Sequence, residues 1–482
     1  MFKNLSKEVM LKGIAFVFCS GWLIVIHSCN FGPVDAGDGL MHFNIAQASW
    51  TKPILFLDHW GKPFFILLSS TFAQFGLGGV VYFNILIFGI TVIFAWKILK
   101  HFSIPYGIQC LFPFILITLF DYSSTILSGL TEPLFSMFFM IATWLLVKKQ
   151  WMWFAIVISL LPFTRSEGQL PLILGFILLV FLKKFKYLPF LFVGFIIYSI
   201  IGHFALGDFW WYFNKSPYRL DNDIYGAGSW DTYFISYKMY LGNLGLFIFI
   251  FAACRIVYLL KIKKGEELQF SWLFMTYGVF VGIIILHSYF WANGLNGSLG
   301  LTRIATQAMP SFVLINLYYL GRINYLPFAK VILSAVVVVL ILLKTFECVK
   351  PKYFPMKSSG LDLQVIRAAD YLLPFKNSKR HFFFHHPLLP LRMNENPMKE
   401  NQKCVFHYNL DLKSDLGTKI KSGDFLIRDS HFGPQEMGLP LSQLAECPEM
   451  VKIKEFVSDF QTEDRYNEVE GVVIYQYQPK KR

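Results

Sequence analysis

The sequence predicts an all-α polytopic membrane protein of about eleven spans, followed by a small α/β domain on the extracytoplasmic side. Three observations lead there. First, 55% of the 482 residues are hydrophobic, 18% aromatic and only 16% charged, whereas soluble domains carry about 25% charged residues. Second, the charges up to about residue 345 sit in short groups between apolar runs. Third, charges become frequent after that point, so the apolar bias belongs to the first part of the chain. Two domains result: a transmembrane domain over 1–346 and a soluble domain over 347–482.

A span needs about twenty mostly apolar residues. Runs of this kind lie near 13–29, 80–99, 104–120, 130–147, 151–164, 168–182, 187–206, 240–260, 271–290, 305–320 and 327–346. The first run has a basic flank but no small-residue cleavage site after it, so it is read as a retained span. The apolar segment 63–75 is cut short by Gly76, Gly78 and Gly79 and reads as an interfacial helix.

Orientation comes from the basic residues. Lys3, Lys7, Lys12, Lys97, Lys100, Lys148, Lys149, Lys183, Lys184, Lys186, Lys261, Lys263, Lys264 and Arg322 fall in alternate connections. About fifteen basic residues lie on that side against about seven in the opposite short loops, which makes it cytoplasmic. The N-terminus is then inside and the tail outside, as for a multi-pass protein of a bacterial inner (plasma) membrane. The net charge of +13 reflects this distribution, and a nucleic-acid partner is not expected.

The tail reads as alternating short elements. Leu361–Leu373 has helical spacing and ends at Pro374. Strand-like runs occur at His381–His385, Val405–Tyr408, Asp424–Arg428, Val451–Phe456 and Gly471–Tyr477. Seven cysteines form no disulfide framework, although Cys404 and Cys447 are placed to pair if the tail is extracytoplasmic. His385 and His386, with His381 and His407 nearby, suggest a metal only weakly, because neighbours on a strand face opposite ways. No cofactor is expected, and a divalent metal is not indicated.

Polar chemistry concentrates on the outer face. The first outer loop, 30–79, holds Asp35, Asp38, His42, Asp58, His59 and Lys62, and an aromatic loop spans 207–239. Asp38, flanked by Gly37 and Gly39, reads either as a helix N-cap or as a general base at the membrane surface. Lys62-Pro63 is a helix start. Its lysine reads either as a snorkelling side chain or as a phosphate contact aided by the helix N-terminus. Glu132 opens an apolar run beside Pro133, where a lone acid is costly without a partner. Arg165 and Glu167 flank Ser166 and either pair together or serve a site. Arg303 reads as a headgroup contact or an anion ligand, and His287 as a packing histidine.

The order of these pieces resembles the GT-C superfamily of polyprenyl-phosphate-sugar-dependent glycosyltransferases. The similarity is strongest to bacterial relatives of protein O-mannosyltransferases and aminoarabinose transferases. In that family an acidic pair opens a helix of the form Asp-Glu-x-x-(Tyr/Phe)-x-x-Ile-Ala. Here Asp38, Ile45 and Ala46 match, while Gly39 stands where the second acid usually is, so Asp35 is the candidate replacement. Lys62-Pro63-Phe64-Phe65 resembles the family's Lys-Pro-Pro-Leu. Thr131-Glu132-Pro133-Leu134, Thr164-Arg165-Ser166-Glu167-Gly168 and Leu301-Thr302-Arg303 through Pro310 resemble its later motifs.

The resemblance implies a membrane glycosyltransferase. It would move a sugar, mannose-like or other, from a polyprenyl-phosphate donor to a lipid, glycan or protein acceptor by inverting displacement. Asp38 and Asp35 are then the catalytic candidates, and Lys62, Arg303 and Arg165 the donor-phosphate candidates. His42, His59, Glu132 and Glu167 are supporting. A transporter or flippase for a lipid-linked or anionic solute is the alternative, but it would place paired charges deep in several spans. A non-catalytic member of the family is a third reading, kept open by Gly39.

Overall fold

The computed structural model describes residues 7–30, 32–218, 225–236, 250, 253–254, 267–322, 358–458 and 469–479. The chain forms two compact units. One is Met1–Asn30 with Phe56–Pro355, and the other is Phe31–Leu55 with Met356–Arg482.

The first unit is helical. Its elements are α1 (Lys7–Cys29), then α3 (Pro63–Ala73), α4 (Leu77–His101), α5 (Tyr106–Thr118), α6 (Phe120–Leu127), α7 (Glu132–Val147), α8 (Trp151–Leu160), α9 (Gln169–Phe181), α10 (Val193–Leu206), α11 (Glu267–Ala292) and α12 (Met309–Arg322). Asp38–Ala48, numbered α2, belongs to the second unit. Among the described residues, four helical stretches are long and apolar enough to cross a membrane: Lys7–Cys29, Leu77–His101, Phe185–Leu206 and Glu267–Ala292. The pair α5 and α6 makes a fifth if it is one span broken by a 73° bend. Shorter apolar helices occupy the expected spans near 130–147, 151–164 and 168–182. The chain is an integral membrane protein. The expected spans near 240–260 and 327–346 fall almost entirely outside the described residues, as do Lys261, Lys263 and Lys264.

The segment 63–75, expected as a short apolar helix, is α3. Pro63 fills its first turn, where a missing N–H costs nothing. Two glycines permit close approaches within this unit. A Cβ on Gly202 of α10 would come 1.8 Å from the Trp211 ring, and one on Gly168 2.1 Å from the Leu161 backbone. These positions let Trp211 and the 161–168 turns pack closely.

The second unit is built on a five-stranded mixed sheet with strands β1 (Phe382–Phe384), β2 (Cys404–Phe406), β3 (Phe425–Asp429), β4 (Met450–Val457) and β5 (Gly471–Tyr477). Their order is β2-β1-β3-β5-β4. β1 runs parallel to β2 and β3, and β5 runs antiparallel to β3 and β4. All five predicted strands are present, each within a residue or two of its expected ends.

Side chains alternate across the sheet. Phe383, Leu426, Val473 and Tyr475 join one core cluster with Leu410, Met437 and Leu439. Helix α13 (Gly360–Leu372) packs on β4 and β5. A capping box starts it: Ser359 accepts from the Asp362 amide and the Asp362 carboxylate accepts from the Ser359 amide. Cys404 and Cys447, which the sequence leaves open as a pair, are both free.

Candidate functional site

In the second unit the loop 32–37 leads into α2. The cap of this helix is not Asp38. The N-cap residue is Gly37, and Asp38 is the first helical residue. Capping falls to Asp35, whose Oδ1 accepts from the Gly37 and Gly39 amides at 3.0 Å each. Gly39 therefore supplies a backbone donor where the family pattern has a second acid. Asp38 and Asp35 are half-buried, and His42 is buried one turn further along the same face of α2.

In the first unit Lys62 stands just ahead of α3, buried, with φ 66°. Its ammonium donates to the Tyr218 hydroxyl at 2.5 Å and to Ser166 Oγ at 3.4 Å, and lies 4.1 Å from the Tyr218 ring centroid. Asp58 Oδ1 accepts from the Gly61 amide at 2.6 Å, which fixes the turn before the lysine. Burial raises the Asp58 carboxyl, against the opposing pull of that amide and the Lys62 charge.

His59 is buried among aromatic rings, 4.6 Å from Tyr212 and 6.2 Å from Trp211 by centroid. Burial lowers its pKa to about 4, and the Lys62 charge acts in the same direction. The ring is therefore neutral at physiological pH. Trp211 is held by its own indole donating to the Tyr198 carbonyl at 2.9 Å, and Tyr212 by its hydroxyl donating to the Pro162 carbonyl at 3.2 Å.

Ser166 links Lys62 to a second group of charges. Arg165 Nη1 lies 2.8 Å from Glu132 Oε1, and donates to Thr131 Oγ1 at 2.9 Å. Arg165 Nη2 lies 2.8 Å from Glu167 Oε1, with Nε reaching Glu167 Oε2 at 3.3 Å. His287 Nε2 is 3.2 Å from Glu167 Oε1, the oxygen that Arg165 Nη2 meets. One guanidinium thus ties the start of α7 to the 165–168 turn, and Glu167 carries the link on to His287 of α11. A planar fork suits this role, since it can meet two carboxylates at once. Arg303 lies near Asp121, whose carboxyl is also within bonding reach of Thr302. Ser136 Oγ donates to the Gln307 carbonyl at 2.8 Å, tying the 302–308 turns to α7.

The candidate residues named from the sequence are divided between the two units. Lys62, His59, Arg165, Glu132, Glu167 and Arg303 are in the first, and Asp35, Asp38 and His42 in the second. Lys62, Ser166, Arg165, Glu132, Glu167 and His287 form one connected set. Sequence reasoning misses Ser166 and Tyr218 as partners of Lys62. It also places His287 in packing, whereas it bonds Glu167. The available signals are a hydroxyl inside the Arg-Ser-Glu turn and a tyrosine in the aromatic loop 207–239. Among the described residues, no group of three or more His, Cys, Asp or Glu side chains is arranged to hold a metal ion.

No family model matches the sequence, and no curated protein sequence does. Solved structures do. The crystal structure of ArnT from Cupriavidus metallidurans bound to undecaprenyl phosphate is similar over 97% of this chain and 97% of that chain, with a TM-score of 0.58 and 10% sequence identity. The apo structure of ArnT from the same organism is similar over 95% of this chain and 97% of that one, with a TM-score of 0.55 and 10% identity. At such low identity the likeness is one of fold, and it extends through both the helical part and the C-terminal sheet. The chain is an integral membrane protein with the fold seen in ArnT.

Proposed function

We propose that this protein is a membrane glycosyltransferase that takes a sugar from a polyprenyl-phosphate donor and passes it to an extracytoplasmic lipid, glycan or protein acceptor. The observation that carries this reading is the full-length likeness to a fold solved with undecaprenyl phosphate bound. The buried Lys62 ammonium and its connected charge network supply the chemistry such a donor needs.

In this reading Asp38 takes the proton from the acceptor hydroxyl or amine as that atom attacks the anomeric carbon. The bond from that carbon to the phosphate oxygen breaks, and the polyprenyl phosphate leaves as an anion. Inversion is the outcome of a single displacement. Lys62 and Arg303 stabilise the developing phosphate charge where water is scarce. Arg165, engaged by Glu132, Glu167 and Thr131, adds a third positive charge for the donor phosphate. Asp35 keeps the loop before α2 closed. The active face is extracytoplasmic, where nucleotide sugars are absent and a lipid carrier is the available donor.

Purified protein incubated with radiolabelled polyprenyl-phosphate sugars and extracted membrane acceptors tests the reaction. Label moving into the acceptor fraction is the expected result, and the absence of transfer with every donor sugar contradicts the reading. A reporter fused at residue 400 tests orientation, and cytoplasmic signal there would overturn it.

A further inference from the structure

Helix α2 is short, and an isolated helix of that length is marginal in water. Yet nine of its eleven residues are buried. Something must hold it, and within its own unit the C-terminal domain does so at both ends.

At the C-terminal end the holder is Asn396. Its Nδ2 donates to the Asn44 carbonyl and to Gln47 Oε1, each at 2.9 Å. The opposite end of the same amide accepts from the Met398 amide at 2.9 Å, an Asx turn across Pro397. A backbone N–H can meet only the oxygen, so this turn dictates that the NH2 group faces α2. Asn396 is 5% exposed. Its loop is anchored to the sheet, because Glu395 Oε2 accepts from the Lys403 and Cys404 amides at 3.1 and 2.8 Å, where β2 begins. At the other end of the helix, a Cβ on Gly37 would lie 3.8 Å from the Phe432 ring. Phe432 is itself pinned by its amide, which donates to Asp429 Oδ1 at 2.6 Å, at the end of β3.

We propose that Asn396 is a positioning residue, which sets the place of Asp38 by clamping α2 to the sheet of the C-terminal domain. The inference rests on Asp38 being the base proposed above. It gives the tail a task of its own: the tail carries the register of the helix whose first residue takes the acceptor proton. The two bonds reach the last turns of α2 and the ring reaches its start, so a shift of the sheet moves the whole helix as one rod.

The test uses full-length protein in nanodiscs and compares wild type with Asn396→Asp and Asn396→Ala. The first is isosteric and keeps the acceptor for Met398, but it faces two oxygens with a third. Hydrogen exchange of the α2 amides and steady-state transfer kinetics are read together. Exchange over Phe43–Ala48 should quicken about tenfold in both variants, while β3 and β5 amides stay protected. Turnover should fall about tenfold or more, with the donor KM within about twofold. Unchanged α2 exchange in both variants overturns the clamp. Faster exchange with unchanged turnover overturns the positioning role. If wild type transfers no sugar, the proposed function fails, and quickened exchange in the variants still supports the clamp.

Discussion

Arg165 Nη1 lies 2.8 Å from Glu132 Oε1, with the glutamate side chain 2% and the arginine 14% exposed. Removing one partner from a buried pair strands the other charge and costs about 3–5 kcal/mol. Arg165→Ala should therefore lower stability by about 3 kcal/mol, read as a fall in melting temperature in detergent. Arg165→Lys should recover only part of this, because an ammonium cannot meet Glu132, Glu167 and Thr131 in one plane. Full rescue by lysine would show that the fork geometry is unimportant.

Lys62 carries a left-handed backbone, φ 66°, a conformation that costs an L-residue about 1–2 kcal/mol. Lys62→Gly and Lys62→Ala both delete the ammonium, so both should lose about a hundredfold in sugar transfer. Only the glycine variant relieves the strain, and it should be more stable than the alanine variant by about 1 kcal/mol. Thermal melts of the two proteins check the ranking, and equal stability would refute it.

His59 has a folded-state pKa lowered from 6.5 to about 4 by burial, with the Lys62 charge adding to it. The unfolded chain therefore binds the proton first as pH falls. The stability tied to the neutral ring is complete above about pH 6.5 and is lost between there and about pH 4. The full loss approaches about 3 kcal/mol. His59→Phe has no proton to gain, so its melting temperature should decline less over that window than the wild type's. Parallel declines would show that His59 does not set this pH dependence.

Cys404 is buried beneath the sheet edge, 3.6 Å from the Met393 sulfur, and burial pushes its thiol pKa far up. A thiol held protonated and out of solvent is slow to react. Native protein should alkylate slowly at Cys404 and faster at the half-buried Cys447, as read by mass spectrometry. Oxidation that joined the two without loss of the fold would contradict the arrangement.

Much of this architecture is legible in the sequence. The five strands declare themselves because each is a short β-rich run between turns, such as Gly471–Tyr477. The charged motifs stand out because charges are scarce among the spans. What escapes is long-range. Nothing local in Asn396-Pro397 announces a bond to Asn44, and nothing in Tyr218 announces Lys62. Asp38 looks like a cap because acids often cap helices, but Asp35 sits earlier in the turn and takes both amides. His287 reads as packing because one histidine on an apolar helix carries no periodic signal, and its partner Glu167 lies far off in the chain.

The proposed role of Asp38, as the base in sugar transfer from a polyprenyl-phosphate donor, is tested most directly by its Asp38→Asn variant. Wild type and variant are compared in the radiolabelled transfer assay, at matched protein levels and with α2 exchange unchanged. Asparagine keeps the shape and the helical position but cannot accept the proton. With Asp38 as the base, transfer falls about 10²–10⁴-fold while donor binding persists. Transfer by Asp38→Asn at the wild-type rate would contradict that role.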